Sequence, residues 1–258
     1  MYLRPRVIPC LLLDHRDLVK TVRFAKPRYL GDPVNAVKIF NNKGVDELCI
    51  LNIRASRDGT GPDMALLAEI ASEAFMPLSY GGGISSIDQI RRLFSIGYEK
   101  VILNTALVRD PDLVREAVAF AGSQSIVASI DARTDRLGRT ACWIRDGTEK
   151  TGSAPAELSR RAQELGAGEI LLNSINQDGT MQGYDLKLIR QVAAAVTIPV
   201  IACGGARDTS DFRRALSDGG AHAVAAGSLF VYYGPQKAVL ITAPSEQELI
   251  RTGIYGND

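Results

Sequence analysis

Pro77-Leu78-Ser79-Tyr80-Gly81-Gly82-Gly83 and Pro199-Val200-Ile201-Ala202-Cys203-Gly204-Gly205 are two versions of one segment, an apolar run closed by glycines, set 122 residues apart. Outward from them the correspondence continues. Gly44-Val45-Asp46-Glu47-Leu48 answers to Gly166-Ala167-Gly168-Glu169-Ile170 at the same offset of 122, and Asp58-Gly59-Thr60 to Asp178-Gly179-Thr180 at 120. Such a self-match reports architecture, because each copy is one structural unit packed against the other. Within each half, short β-branched runs alternate with longer amphipathic ones, the pattern of βα units on a parallel sheet. Four units repeated once make eight, and eight parallel strands close into a barrel filled by side chains. The expected fold is α/β, a (β/α)8 TIM barrel with a half-barrel internal repeat.

The predicted strands are Arg6 to Leu13, Glu47 to Ile53, Pro77 to Gly81, Lys100 to Asn104, Ser125 to Asp131, Glu169 to Ser174, Pro199 to Cys203 and Ala223 to Gly227. The predicted helices are Pro33 to Lys43, Asp63 to Glu73, Ser86 to Ser95, Pro111 to Phe120, Pro155 to Leu165, Leu186 to Val196, Ser210 to Ser217 and Ser245 to Thr252. Asp32-Pro33 and Asp110-Pro111 each place a capping acid before a proline at the first helical position. Gly44, Gly97, Gly166 and Gly219 each follow a helical run, where a left-handed residue closes the last turn. Residues 133–152, too long for an ordinary βα loop and carrying Trp143, predict a hairpin excursion after the fifth strand.

Length and composition agree with one domain over residues 1–258, at the upper edge of what a single core supports. Thirty basic against twenty-nine acidic side chains leave +1, so no broad field exists to hold nucleic acid or an anionic membrane. Any anion must be caught locally. No apolar run approaches the roughly 20 residues of a membrane helix, and Met1-Tyr2-Leu3-Arg4-Pro5-Arg6 opens no signal-peptide core, so a cytoplasmic location is expected. Cys10, Cys49, Cys142 and Cys203 form no Cys-x-x-Cys pair and only His15 and His222 could join them, so buried thiols are expected, with no metal and no organic cofactor.

In such a barrel, chemistry sits at the C-terminal ends of the strands. Gly82-Gly83 after strand three and Gly204-Gly205 after strand seven leave backbone N–H groups uncovered, and Asn104-Thr105 and Gly227-Ser228 add donors at the neighbouring strand ends. One glycine pair is ordinary turn chemistry. Twin copies half a barrel apart predict a ligand with two phosphates stretched across the mouth. Asp131 ends strand five at the rim, where a general acid or base would stand, or where a plain helix cap or salt bridge would. Its repeat mate, at an offset of 119, is Leu12, which carries no proton. Asn52 and Asn176, at the ends of strands two and six, can orient a substrate but cannot titrate. At the opposite pole Arg6, Glu47, Lys100 and Glu169 fall at strand starts: a solvated rim if they point outward, a neutral ring closing the floor if they point inward.

These residues resemble the cyclase subunit of imidazole glycerol phosphate synthase, the HisF family, from Arg4 to about Gly234. The resemblance is carried by Ile8-Pro9-Cys10-Leu11, Gly31-Asp32-Pro33, Gly81-Gly82-Gly83-Ile84, Ile130-Asp131-Ala132, Gly168-Glu169-Ile170-Leu171-Leu172 and Asp178-Gly179-Thr180. It implies a lyase of histidine biosynthesis that receives ammonia from a HisH-like glutaminase on the barrel floor and uses it at the top on a bisphosphate. It further implies that Arg6, Glu47, Lys100 and Glu169 are an ammonia gate, that Asp131 is one of two catalytic carboxylates, and that Asp178, Gly179 and Thr180 join the phosphate-binding set. The second carboxylate is missing: Leu12 follows Ile-Pro-Cys-Leu where the family has aspartate, and Asp14 sits about 6.6 Å further along the strand. Aspartates expected at Asn52 and Asn176 are absent too.

The Leu11-Leu12-Leu13 variant resembles HisF-like paralogues of bacterial lipopolysaccharide and other surface-polysaccharide loci, which implies a heterodimer handing ammonia to a separate sugar amidotransferase. Three readings therefore stand: an ammonia-conducting subunit of a glutamine amidotransferase, a true cyclase with Asp131 alone or aided by Asp14, and a barrel that binds a phosphorylated small molecule without catalysis. The segment from Tyr232 to Asp258 leaves the family pattern, and its contacts are not legible.

Overall fold

The computed structural model describes residues 4–256; Met1 to Leu3, read above for a leader, and the last two residues of the tail lie outside the described residues. In chain order the elements are β1 (Arg6–Asp14), β2 (Asp17–Val22), β3 (Ala25–Gly31), α1 (Pro33–Lys43), β4 (Leu48–Asn52), α2 (Ala55–Asp58), α3 (Met64–Glu73), β5 (Leu78–Gly81), α4 (Ile87–Ser95) and β6 (Lys100–Leu103). There follow α5 (Thr105–Arg109), α6 (Pro111–Ala121), β7 (Ile126–Thr134), β8 (Thr140–Ile144), β9 (Glu149–Lys150), α7 (Pro155–Glu164) and β10 (Glu169–Ser174). The last are α8 (Leu186–Ala193), β11 (Val200–Cys203), α9 (Thr209–Ser217), β12 (Ala223–Ala226), α10 (Ser228–Val231), β13 (Tyr232–Tyr233), β14 (Ala238–Val239) and α11 (Glu246–Arg251).

Eight parallel strands pair in the order β1, β4, β5, β6, β7, β10, β11 and β12, and β12 returns to β1, so the sheet closes into the expected barrel. Period-two alternation splits each strand between two cores. Val7, Leu11, Leu13, Leu48, Ile50 and Tyr80 face the helices, and Ile8, Cys10, Leu12, Cys49, Ile102, Val127, Leu171, Ile201 and Cys203 face the lumen. Ala223 and Ala225 add only methyl groups to that inner wall. All four cysteines are free and buried, as read from the sequence.

The helix signals act as expected. Asp32 Oδ1 accepts from Asn35 N at 2.8 Å and Asp110 Oδ1 from Leu113 N at 3.2 Å, each ahead of its proline. One stop is corrected: after α9 the left-handed residue is Gly220 (φ 74), whereas a Cβ on Gly219 would lie 2.4 Å from Ala215 O. Helix α8 ends at Ala193, short of Val196, because β-branched residues running into Pro199 disfavour helix there.

Two excursions rise from the barrel. After β7, strands β8 and β9 form an antiparallel extension, with Trp143 paired to Asp131. After β1, an unforeseen hairpin of β2 and β3 occupies residues that carry no strand in the sequence reading. The tail closes on the floor side: Tyr255 Oη donates to Asp46 Oδ2 at 2.5 Å, and the Arg4 guanidinium lies 3.6 Å over the Tyr255 ring while bonding Asp46 at 2.9 Å. No helix of the described residues is long and apolar enough to cross a membrane.

Candidate functional site

At the floor, the four charges of the strand starts turn inward and meet. Lys100 Nζ donates to Glu47 Oε2 and Glu169 Oε2, both at 3.0 Å, and Arg6 pairs with the same two carboxylates through Nη1 and Nη2. The result is a closed, charge-neutral ring with both glutamates buried, not a solvated rim. Each carboxylate answers two cations, the arrangement that lets charges be desolvated together. Directly above it lies a cavity of about 10 Å³ walled by Ile8, Cys49, Ile102, Val127, Leu171 and Ile201, on the scale of one water molecule.

Past the thiols of Cys10 and Cys49 (Sγ–Sγ 3.8 Å) the lumen opens into a mouth cavity of about 110 Å³. Gly82, Gly83, Asn104, Thr105, Asp131, Asp178, Gly179, Gly204, Gly205, Gly227 and Ser228 all reach its wall, so residues spread over 147 positions of sequence converge. The glycine pairs match in geometry: Gly82, Gly83, Gly204 and Gly205 all take positive φ, at 125°, 70°, 91° and 111°. Thr105 Oγ1 and Ser228 Oγ, each on the first residue of a short helix, are buried without a hydrogen-bond partner, twin donors on opposite halves of the barrel.

Four sequence expectations take another form. Thr180 does not reach the cavity, because its hydroxyl turns back to Gln177 O at 2.8 Å. Asp178 lines the wall, but a carboxylate only accepts hydrogen bonds and cannot grip phosphate; it holds Lys20 Nζ at 2.9 Å and Thr21 Oγ1 at 3.1 Å. Asn104 spends its amide N–H groups on Ser129 O (3.0 Å) and Trp143 O (3.4 Å). Asp14 does not reach in: Arg54 Nε holds both its oxygens at 3.2 Å. Of the two amides, Asn52 caps α2 through Arg54 N and Ala55 N, and Asn176 bridges to Thr134.

Three of the lining residues that the sequence reading missed bear on the chemistry. Lys20, on β2, is buried with its stem against Gly227, where a Cβ would lie 2.9 Å from Lys20 Cε. Asn173 is the register partner of Asp131 on the neighbouring strand and carries a buried, unpartnered Oδ1. Its inward direction was readable, since it shares parity with Glu169 and Leu171. Asp146 comes from the β8–β9 turn.

Asp131 is half-buried, and desolvation pushes its pKa up to about 7; Ser129 Oγ, donating at 3.3 Å, opposes the shift, and Asp146 and Asp178 add to it. Asp146 also rises to about 7, mainly by desolvation, with Arg54 pulling it down and Asp14, Asp58 and Asp178 pushing it up. Both groups hold a proton in the fold over a range where the unfolded chain has released it. The stability this gives is complete below about pH 4 and is lost as pH rises to about 7. Asp131→Asn is therefore expected to flatten the fall in thermal midpoint between about pH 5 and pH 7; an unchanged pH profile would show that the carboxyl titrates normally.

The histidine biosynthesis protein model matches residues 6–236. The chain is 46% identical over 247 residues to "Putative imidazole glycerol phosphate synthase subunit HisF" of Leptospira interrogans, covering 95% of this chain and 97% of the relative. It is 48% identical to "Putative imidazole glycerol phosphate synthase subunit hisF2" of Pseudomonas aeruginosa (95% and 98% covered) and 44% identical to "Putative imidazole glycerol phosphate synthase subunit hisF3" of Vibrio vulnificus (95% and 95%). With the closed barrel and the twin glycine ends, these matches settle the family: the chain belongs to the histidine biosynthesis proteins, as a HisF-like (β/α)8 barrel.

Proposed function

We propose that this barrel is the synthase-side subunit of a glutamine amidotransferase, taking ammonia from a HisH-type glutaminase docked on its floor and conducting it through the lumen to the mouth. The observation that carries this reading is the closed ring of Arg6, Glu47, Lys100 and Glu169 beneath an apolar lumen. Such a wall penalises ions by desolvation and admits a small neutral amine. The retained ring contrasts with the mouth, where Leu12 lines the cavity at the place of an acid or base. Proton transfer contributes typically 10²–10⁴-fold per group, so the chain's own cyclase step is slow. Its ammonia then serves a separate acceptor enzyme, in the surface-polysaccharide setting the sugar amidotransferase. The names hisF2 and hisF3 of two relatives agree with a HisF protein beside others.

A second reading keeps the histidine-pathway cyclase reaction, with Asp131 as acid and base and a bisphosphate held by the twin glycine ends, Thr105 and Ser228. It is favoured by the two unpartnered hydroxyls. Size-exclusion chromatography with the HisH-type glutaminase of the same organism separates these subunit readings from a free-standing phosphate-binding barrel: a one-to-one complex is expected, and two separate peaks at micromolar concentration would reject conduction.

A further inference from the structure

Two hairpins stand side by side at the rim of the mouth. The β2–β3 hairpin leaves the top of β1 and brings Lys20, Thr21 and Phe24 to the cavity wall; the β13–β14 hairpin follows α10, whose Ser228 lines the same cavity. Arg28 joins them, its Nη1 donating to Lys237 O at 3.4 Å and its guanidinium lying 5.4 Å over the Tyr232 ring. The turn of the first hairpin is fixed to the loop between β10 and α8: Arg23 N donates to Asp178 O at 2.9 Å and Arg23 Nε to Asn176 O at 3.0 Å. The pair forms one preorganised surface, which lowers the ordering cost of docking.

That surface is apolar and cationic at once. Among the described residues, five of the nine exposed large apolar side chains fall on or beside these hairpins, namely Val22, Tyr29, Tyr233, Val239 and Leu240. Scattered apolar side chains need no explanation, but a gathering of them marks a contact face. Residues 23–31 and 232–240 also carry Arg23, Lys26, Arg28 and Lys237 and not one acid, in a chain whose thirty basic and twenty-nine acidic side chains nearly cancel. Tyrosine and arginine are the residues that anchor interfaces.

The charge and the place decide what can cover it. A second copy meeting this face about a two-fold axis would set the same cations against themselves. A bilayer would lay headgroups over the mouth and offer conducted ammonia nothing to react with. Ammonia released into neutral water is protonated and lost as a nucleophile, so an exit used for conduction needs an enzyme seated on its rim.

We propose that the β2–β3 and β13–β14 hairpins are the docking surface for the acceptor enzyme, a protein whose contact face sets Asp and Glu side chains round an apolar centre and whose ammonia inlet opens over the mouth. The assignment deepens the conduction reading and rests on it for the identity of the partner. Glutaminase and acceptor then occupy opposite poles of the barrel, floor and rim, and bind at the same time.

The test titrates the sugar amidotransferase of the same organism with the full-length barrel, alone and with the HisH-type glutaminase, in low and in high sodium chloride. A complex is expected whose Kd weakens severalfold in high salt, because exposed charges are screened. Tyr29→Ser combined with Tyr233→Ser is expected to weaken it at least about tenfold. Lys26→Glu, at an exposed side chain, is expected to weaken it about three- to tenfold and to flatten the salt dependence. Both variants should unfold within about 2 °C of the wild type, as surface changes do, and bind the glutaminase unchanged, since the floor is untouched. An amidotransferase that does not bind, a complex indifferent to both variants, or binding to phosphatidylglycerol vesicles or to a second barrel that the same variants abolish would overturn the assignment. Glutaminase stimulation judges conduction apart from this: stimulation without a rim complex rejects only the docking surface, and a rim complex without stimulation rejects only conduction.

Discussion

Gly205→Ala is expected to cost at least ~4 kcal/mol of stability and about 10 °C in thermal midpoint, which places it among the exceptional single substitutions. A Cβ there would lie 2.2 Å from Gly183 O and 2.9 Å from Gln177 Cβ, so the first obstacle is backbone. Retreat is blocked, because Gly205 O accepts from Gly183 N at 2.8 Å and ties the same two loops together. Its φ of 111° adds strain that an alanine would feel even in open space. Gly44→Ala is the control: it too has positive φ (63°), but nothing lies within 4 Å, so only about 1 kcal/mol is expected. Urea unfolding of both variants gives the comparison. A Gly205→Ala midpoint equal to that of Gly44→Ala would mean that the two loops are not packed as described.

Leu12→Asp is expected to raise ammonium-driven turnover of the family's bisphosphate substrate by on the order of 10²-fold or more. Leu12 lies on the inward face of β1, lines the mouth and is 9% exposed, so an aspartate there would look into the same cavity as Asp131 from the other half of the repeat. The introduced carboxyl enters an apolar cluster with Cys10, Val19 and Leu51, at a stability cost of about 1–3 kcal/mol. Its pKa would rise for the same reason as that of Asp131, which suits proton transfer near neutral pH. An unchanged rate in Leu12→Asp would show that the leucine is not what limits this chain as a cyclase.

The barrel was legible because its strands are β-branched runs of uniform parity and its two halves can be laid on one another. The floor ring was half legible. Strand parity decides that Arg6, Glu47, Lys100 and Glu169 share a side, but their mutual reach spans up to 163 positions, which no local pattern encodes. The β2–β3 hairpin escaped because its turn, Arg23-Phe24, takes left-handed backbone (φ 54° and 59°) without the Asn-Gly or Asp-Gly pair that usually announces it. That hairpin carries Lys20, so the principal cation of the mouth was hidden with it. The Asp146-Gly147 pair did announce its turn, yet nothing in the sequence says that the carboxylate points inward. Thr180 shows the converse error: a motif residue assigned to the site by its neighbours, while its hydroxyl serves the loop.

Glutamine hydrolysis by the HisH-type glutaminase, measured with and without a saturating amount of this barrel, tests conduction most directly. Stimulation by the wild-type chain, lost in Glu169→Ala, which leaves Arg6 and Lys100 facing each other with one counter-charge between them, is the predicted result. A glutaminase that binds the barrel yet hydrolyses glutamine at its unassisted rate, with the ring intact or broken, would contradict it.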